Sequence, residues 1–157
     1  MLRIHTEGGS EGIIDFNNQS RVRAWRNAAV NIKNNTITTI VFDNETYDSK
    51  SEHSTATGIF TAKEDGHYQV NARLQLTYAG SANNTDYMRI EIWKNAAAYS
   101  LGDQISMRTT NPAVNVSDVV SLVAGDTLYI RVIQVTGAAR ALLTGQTPSY
   151  VSIHKIS

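Results

Sequence analysis

Between residues 66 and 78 the chain reads GHYQVNARLQLTY, and apolar and polar positions alternate along it. Tyr68, Val70, Ala72, Leu74, Leu76 and Tyr78 fall on one side, and His67, Gln69, Asn71, Arg73, Gln75 and Thr77 on the other. Successive side chains of an extended chain point to opposite faces, so a period of two sustained this long predicts a strand with one face in a core. The polar face carries one formal charge, Arg73, where a water-washed strand of this length usually shows Lys and Glu. Similar windows recur at RVRAWRN (21–27), TITTIVF (36–42), TGIFTA (57–62), DYMRIEIWKN (86–95), AVNVSDVVSLV (113–123), TLYIRVIQV (127–135) and SYVSIHKI (149–156). Each is rich in Val, Ile, Thr and aromatic residues and is bounded by Gly, Asn, Asp or Ser, which reads as a strand.

The Ala/Leu-rich windows NAAAYSLGDQ and GAARALL are short and interrupted or flanked by Gly, too little for a helix to nucleate and hold. The fold class is therefore all-β. About eight strands in a chain of this length predict a two-sheet sandwich, and a jelly roll is the commonest way to wind eight. TLYIRVIQV adds a second signal. Leu128, Ile130 and Val132 lie on one side, while Tyr129, Ile133 and Val135, with Arg131 among them, lie on the other. A sandwich covers one face of each sheet and this chain has no helix for the second, so a strand apolar on both faces predicts an interface between copies.

Composition narrows the partners. A chain of 157 residues suits one domain. Residues 1–20 mix Gly, Glu, Ser and Asn around a short GIIDF and read as an arm or stalk remnant ahead of a domain at 21–157. Fourteen basic residues balance fourteen acidic ones, so no long-range field recruits nucleic acid or an anionic membrane. The longest apolar run, in SDVVSLVAG, is too short to span a bilayer. The sequence has no cysteine, which removes disulfides, thiol catalysis and cysteine-ligated zinc. The first residues lack the apolar core of a signal peptide, so the chain is expected either to avoid that export route or to be a fragment.

Of the motifs that would announce catalysis, G-x-x-x-x-G-K and H-E-x-x-H do not occur, the one G-x-S-x-G match (Gly8 to Gly12) falls in the Gly-rich arm and not between a predicted strand and helix, and the four histidines have no paired-ligand spacing. No enzyme and no cofactor are expected. The one candidate cation site is acidic FDNETYDSKSEH, where Asp43, Glu45 and Asp48 offer oxygens to calcium, without the spacing of an EF-hand. Loops carry recognition on rigid β scaffolds. The segment 95–112 is expected to be a long polar loop offering Tyr99, Met107 and Arg108, with Trp93 beside it on its strand.

Residues 21–157 resemble the globular-head family of complement C1q, the tumour necrosis factor-like jelly rolls. The resemblance rests on NNTITTIVFDNETYD, on FTAKEDGHYQVNARL with Phe60, Gly66 and Tyr68 in register, on IWKNAAAYS, on VSDVVSLVAGDTLYIRVIQ and on the closing SYVSIHKI. These blocks follow the family's order over about seven-eighths of the chain and are nearest to bacterial and bacteriophage members. The resemblance implies a ten-strand jelly roll that assembles as a homotrimer and serves binding or architecture. It further implies that the sheet holding the opening strand, the GHYQV strand, the TLYIRV strand and the closing strand faces the three-fold axis. The expected trimer interface is thus Gln69, Asn71, Arg73 and Gln75 with Tyr129, Arg131, Ile133 and Val135. The expected function is a structural or binding module of a virion or bacterial surface, either a capsid decoration protein or a tail-fibre tip. Its partners would be its own copies, a capsid or fibre protein held through residues 1–20, and a cell-surface glycan or protein receptor. The alternative is a carbohydrate-binding module, assisted by calcium.

Overall fold

The structure, a computed structural model, describes residues 19–80 and 83–157; all but the last two residues of the expected N-terminal arm lie outside that range. The described residues form twelve strands and no helix: β1 Arg21–Arg26, β2 Asn31–Ile32, β3 Thr38–Thr39, β4 Asn44–Asp48, β5 Phe60–Thr61, β6 Gly66–Gln75, β7 Tyr87–Lys94, β8 Ala97–Ser106, β9 Ala113–Leu122, β10 Thr127–Val135, β11 Arg140–Ala141 and β12 Gly145–Lys155. They build two five-stranded sheets. The first runs β4-β1-β12-β6-β9; the second runs β3-β10-β7-β8, with β5 also paired to β10. β2 and β11 form a separate two-stranded ribbon. All the named ladders are antiparallel.

The core lies between the sheets and is made by the alternation read in the sequence. Tyr68, Val70, Ala72, Leu74 and Leu76 of the β6 region are buried, as are Val114, Val116, Val120 and Leu122 on β9 and Val22 and Ala24 on β1. From the second sheet come Met88, Ile90, Ile92, Leu128, Ile130 and Val132. Burying one such Leu or Ile side chain contributes about 1.5–3 kcal/mol, and a sandwich of this size needs many of them to offset the ordering of its backbone. Gly58 shows why one loop residue has no side chain. Its φ is +73°, and a Cβ there would sit 2.3 Å from the carbonyl oxygen of Ile40.

Two expectations are corrected. β10 does not share a sheet with β1, β6 and β12, because it pairs with β3, β5 and β7. The segment 95–112 is mostly strand β8, not a loop. β8 escapes a period-two reading because its ladder with β7 is interrupted by register shifts between Arg89 and Glu91 and between Ile92 and Trp93. Each shift moves the following residues to the other face.

Candidate functional site

The outward face of the first sheet is set by register. Arg23 pairs with Ser152, Trp25 with Tyr150, Tyr150 with Arg73, His154 with Gln69, and Asn71 with Ser117. These residues alternate with core residues on every strand, so Arg21, Arg23, Trp25, Tyr150, His154, Gln69, Asn71 and Arg73 share one surface. The carboxylates of these strands sit at the other positions: Glu45 opposite Ala24, Asp48 opposite Val22 and Asp118 opposite Val70. The face therefore gathers three guanidinium groups, and its five strands contribute no carboxylate to it.

Its polar groups are largely held within the chain. Asn71 Oδ1 accepts from Ser117 Oγ at 2.8 Å, Gln75 Nε2 donates to the Asn111 carbonyl at 2.8 Å, and Arg73 Nη1 donates to Asn115 Oδ1 at 3.3 Å. Arg23 lies 4.2 Å over the Tyr150 ring and donates to the Gln146 carbonyl. Tyr47 stacks beside His154, with its hydroxyl 3.1 Å from Nε2. Burial holds the His154 imidazole below its ordinary pKa, and nearby Arg21 adds to the effect. The indole N–H of Trp25 is buried on this face without a hydrogen-bond partner.

One edge of the sandwich is built from β8 and β9, the end strands of the two sheets. They close on each other at Gly102, where a Cβ would lie 2.5 Å from Val116 Cβ and 2.6 Å from the Asn115 carbonyl oxygen. Ser100 Oγ donates to Asp118, and Asp103 accepts from the backbone N–H of Asn115 at 2.9 Å. Leu101 is 65% exposed and Tyr99 and Val119 are also open, so this edge is both apolar and acidic.

The outward face of the second sheet carries Tyr129, Arg131, Ile133 and Val135 of β10 beside Trp93, Glu91, Arg89 and Tyr87 of β7. The eight residues expected at one interface thus divide between opposite sides of the sandwich. Glu91 is 2% exposed; its Oε1 accepts from Arg89 Nε and Nη2 at 2.8 and 2.6 Å, and its Oε2 from Trp93 Nε1 at 2.6 Å. Trp93 stacks on Tyr129, and Arg131 lies 4.3 Å over the Trp93 ring. The expected recognition group is broken up. Trp93 is in this stack, Tyr99 is on the edge strand, Arg108 is exposed, and Met107 is fully buried in the core.

The candidate calcium ligands are each engaged by groups of the chain. Asp43 accepts from the N–H groups of Asn27 and Ala28, Glu45 meets His53 Nδ1 at 3.0 Å, and Asp48 accepts from the N–H of His53. Despite partial burial, these N–H bonds and Arg26 keep the Asp43 carboxyl below its usual pKa. Among the described residues no group of three or more His, Asp or Glu side chains is arranged to hold a metal ion. Within this acidic segment, Asn44–Asp48 form the edge strand β4. Leu142 is buried in the core.

Two antiparallel five-stranded sheets enclosing one core, with no helix among the described residues, define a jelly-roll sandwich of the kind used as a binding scaffold. The model of the C1q domain matches residues 23–151, and the chain belongs to that family. The globular domain of zebrafish complement 1qA protein superposes with a TM-score of 0.68 at 14% identity, covering 89% of this chain and 98% of that one. Murine APRIL gives 0.64 at 9% identity, over 88% of this chain and 100% of the other. Eiger TNF from S. frugiperda gives 0.62 at 14%, over 88% and 93%. No curated protein sequence matches this one. The C1q/TNF-like family is one of binding modules, and no enzymatic family is indicated.

Proposed function

We propose that the chain is a homotrimeric, non-enzymatic module of a virion or bacterial surface, in which the outward face of the first sheet of each copy receives the β8/β9 edge of the next. The observation that carries this reading is a mismatch within one chain. Arg21, Arg23 and Arg73 lie on a face to which no strand of the sheet turns a carboxylate, while the edge presents Asp103 and Asp118 beside exposed Tyr99 and Leu101. A face that meets a different patch on its neighbour repeats by rotation, and closure at three subunits follows the habit of the family. Gln69, Asn71 and Arg73 fall at this interface, whereas Tyr129, Arg131, Ile133 and Val135 fall outside it.

Within this reading the role is that of a capsid decoration protein or a tail-fibre tip, with residues 1–20 as the attachment arm. The virion or bacterial setting is supported by the likeness of the sequence blocks to bacterial and bacteriophage members. A sugar-stacking module would offer the open face of Trp93, and that ring is capped by Arg131. Light scattering on the purified chain tests the assembly: a trimer mass is expected, and Leu101→Asp or Arg73→Glu should yield folded monomer. A wild-type monomer at micromolar concentration would sink the reading.

A further inference from the structure

On the outward face of the second sheet Arg131 is held in place by an aromatic stack and by no ion pair among the described residues. Arg131 is flattened on the Trp93 ring, and Trp93 is fixed in turn by its stack on Tyr129 and by its indole hydrogen bond to Glu91. Glu91 is the cross-strand neighbour of Arg131, yet its two oxygens are taken by Arg89 and Trp93. Among the described residues no carboxylate lies within ion-pair distance of Arg131, and its Nε is buried without a hydrogen-bond partner. Beside it opens a concavity of about 280 Å³ lined by Thr39, Ile59, Tyr129 and Arg131.

We propose that this concavity binds a small carboxylate of about the size of one acidic sugar residue. A guanidinium presents a planar fork that matches a carboxylate with two parallel hydrogen bonds. Stacking on the indole has already removed much of its freedom, so the ordering cost that ordinarily weakens such a contact is reduced. Thr39 supplies a hydroxyl, Tyr129 a phenol and Ile59 an apolar wall for the body of the ligand. The site lies on the side of the sandwich opposite the face assigned to the trimer, and it does not depend on that assignment.

The test is a titration of the full ¹⁵N-labelled chain with glucuronate and, separately, with uncharged glucose, following the Arg Nε–H and Trp Nε1–H resonances. Saturable shifts at Arg131 and Trp93 with glucuronate, and none with glucose, are expected. Arg23, the stacked arginine of the first sheet, should stay still. Arg131→Lys keeps the charge and loses the fork, and should weaken binding by at least about tenfold, with an unmoved Trp25 indole peak reporting an intact fold. The proposal is overturned by no shift at Arg131, by equal shifts with glucose, by equal shifts at Arg23, or by undiminished binding in Arg131→Lys.

Discussion

Glu91→Gln probes the one buried carboxylate that organises the outward face of the second sheet. In the native chain both carboxylate oxygens accept, one from the Arg89 guanidinium and the other from the Trp93 indole. A glutamine amide keeps one acceptor and places two donors at the other end, so either Arg89 or Trp93 must face an N–H group. A hydrogen bond to a charged group contributes about 1.5–3 kcal/mol, and an unmatched buried donor costs a similar amount. Arg89 is a quarter exposed and can rehydrate, which holds the expected loss near the lower end, about 2 kcal/mol. For a domain of this length each kcal/mol moves the melting temperature by about 2–4 °C, so a fall of about 4–8 °C is expected. The assay is thermal unfolding by circular dichroism at one fixed protein concentration, since oligomerisation makes Tm depend on concentration. A double-mutant cycle with Arg89→Ala should show coupling above about 1 kcal/mol. A Glu91→Gln Tm within about 1 °C of wild type, with additive single effects, would refute the argument.

Other outcomes follow from the same structure. Gly102→Ala forces a Cβ against Val116 and the Asn115 backbone and should destabilise by about 1–3 kcal/mol, measured by urea unfolding. The N–H of Val123, then Asn95 and Lys94, hold the Asp126 carboxyl at about 2. Because this folded-state pKa lies below the ordinary value of 3.8, the stability it confers is complete above about pH 4 and is lost as pH falls toward 2. Asp126→Asn should flatten the acid limb of a urea-midpoint profile over that window. Burial, followed by the nearby Glu52 and Glu64, pushes the Tyr68 phenol up to about 12, so its contribution is present below about pH 10 and fades as pH rises toward 12. Tyr68→Phe should flatten the alkaline limb of the same profile.

What could be read from the sequence was whatever obeyed a local period. β6, β7, β9 and β10 alternate over eight to ten residues, and the side of β6 read as core is the side the sandwich buries. β8 did not show itself because its two register shifts break the alternation, and its Ala-rich opening mimics a helix. β4, at the edge of its sheet, pairs through its backbone and buries little, so NETYD carries no apolar alternation to mark it as a strand. Which sheet a strand joins is a long-range property: the two faces of β10 say nothing of whether β6 or β7 lies beside it. The same limit explains the site. Arg89, Glu91 and Trp93 were visible as one strand face, but their union with Tyr129 and Arg131 needed the register of β7 against β10.

The order of the first sheet has a bearing on how the molecule is made. β1 and β12, the first and last strands, are neighbours, and Arg21 lies opposite His154. Until β12 has been synthesised, β4-β1 and β6-β9 remain two separate ribbons. Closure must therefore wait for β12, and deletion of residues 145–155 removes the strand that joins the halves. The two termini of the sandwich consequently leave from the same pole, so a tether at either end would hang the domain in the same orientation.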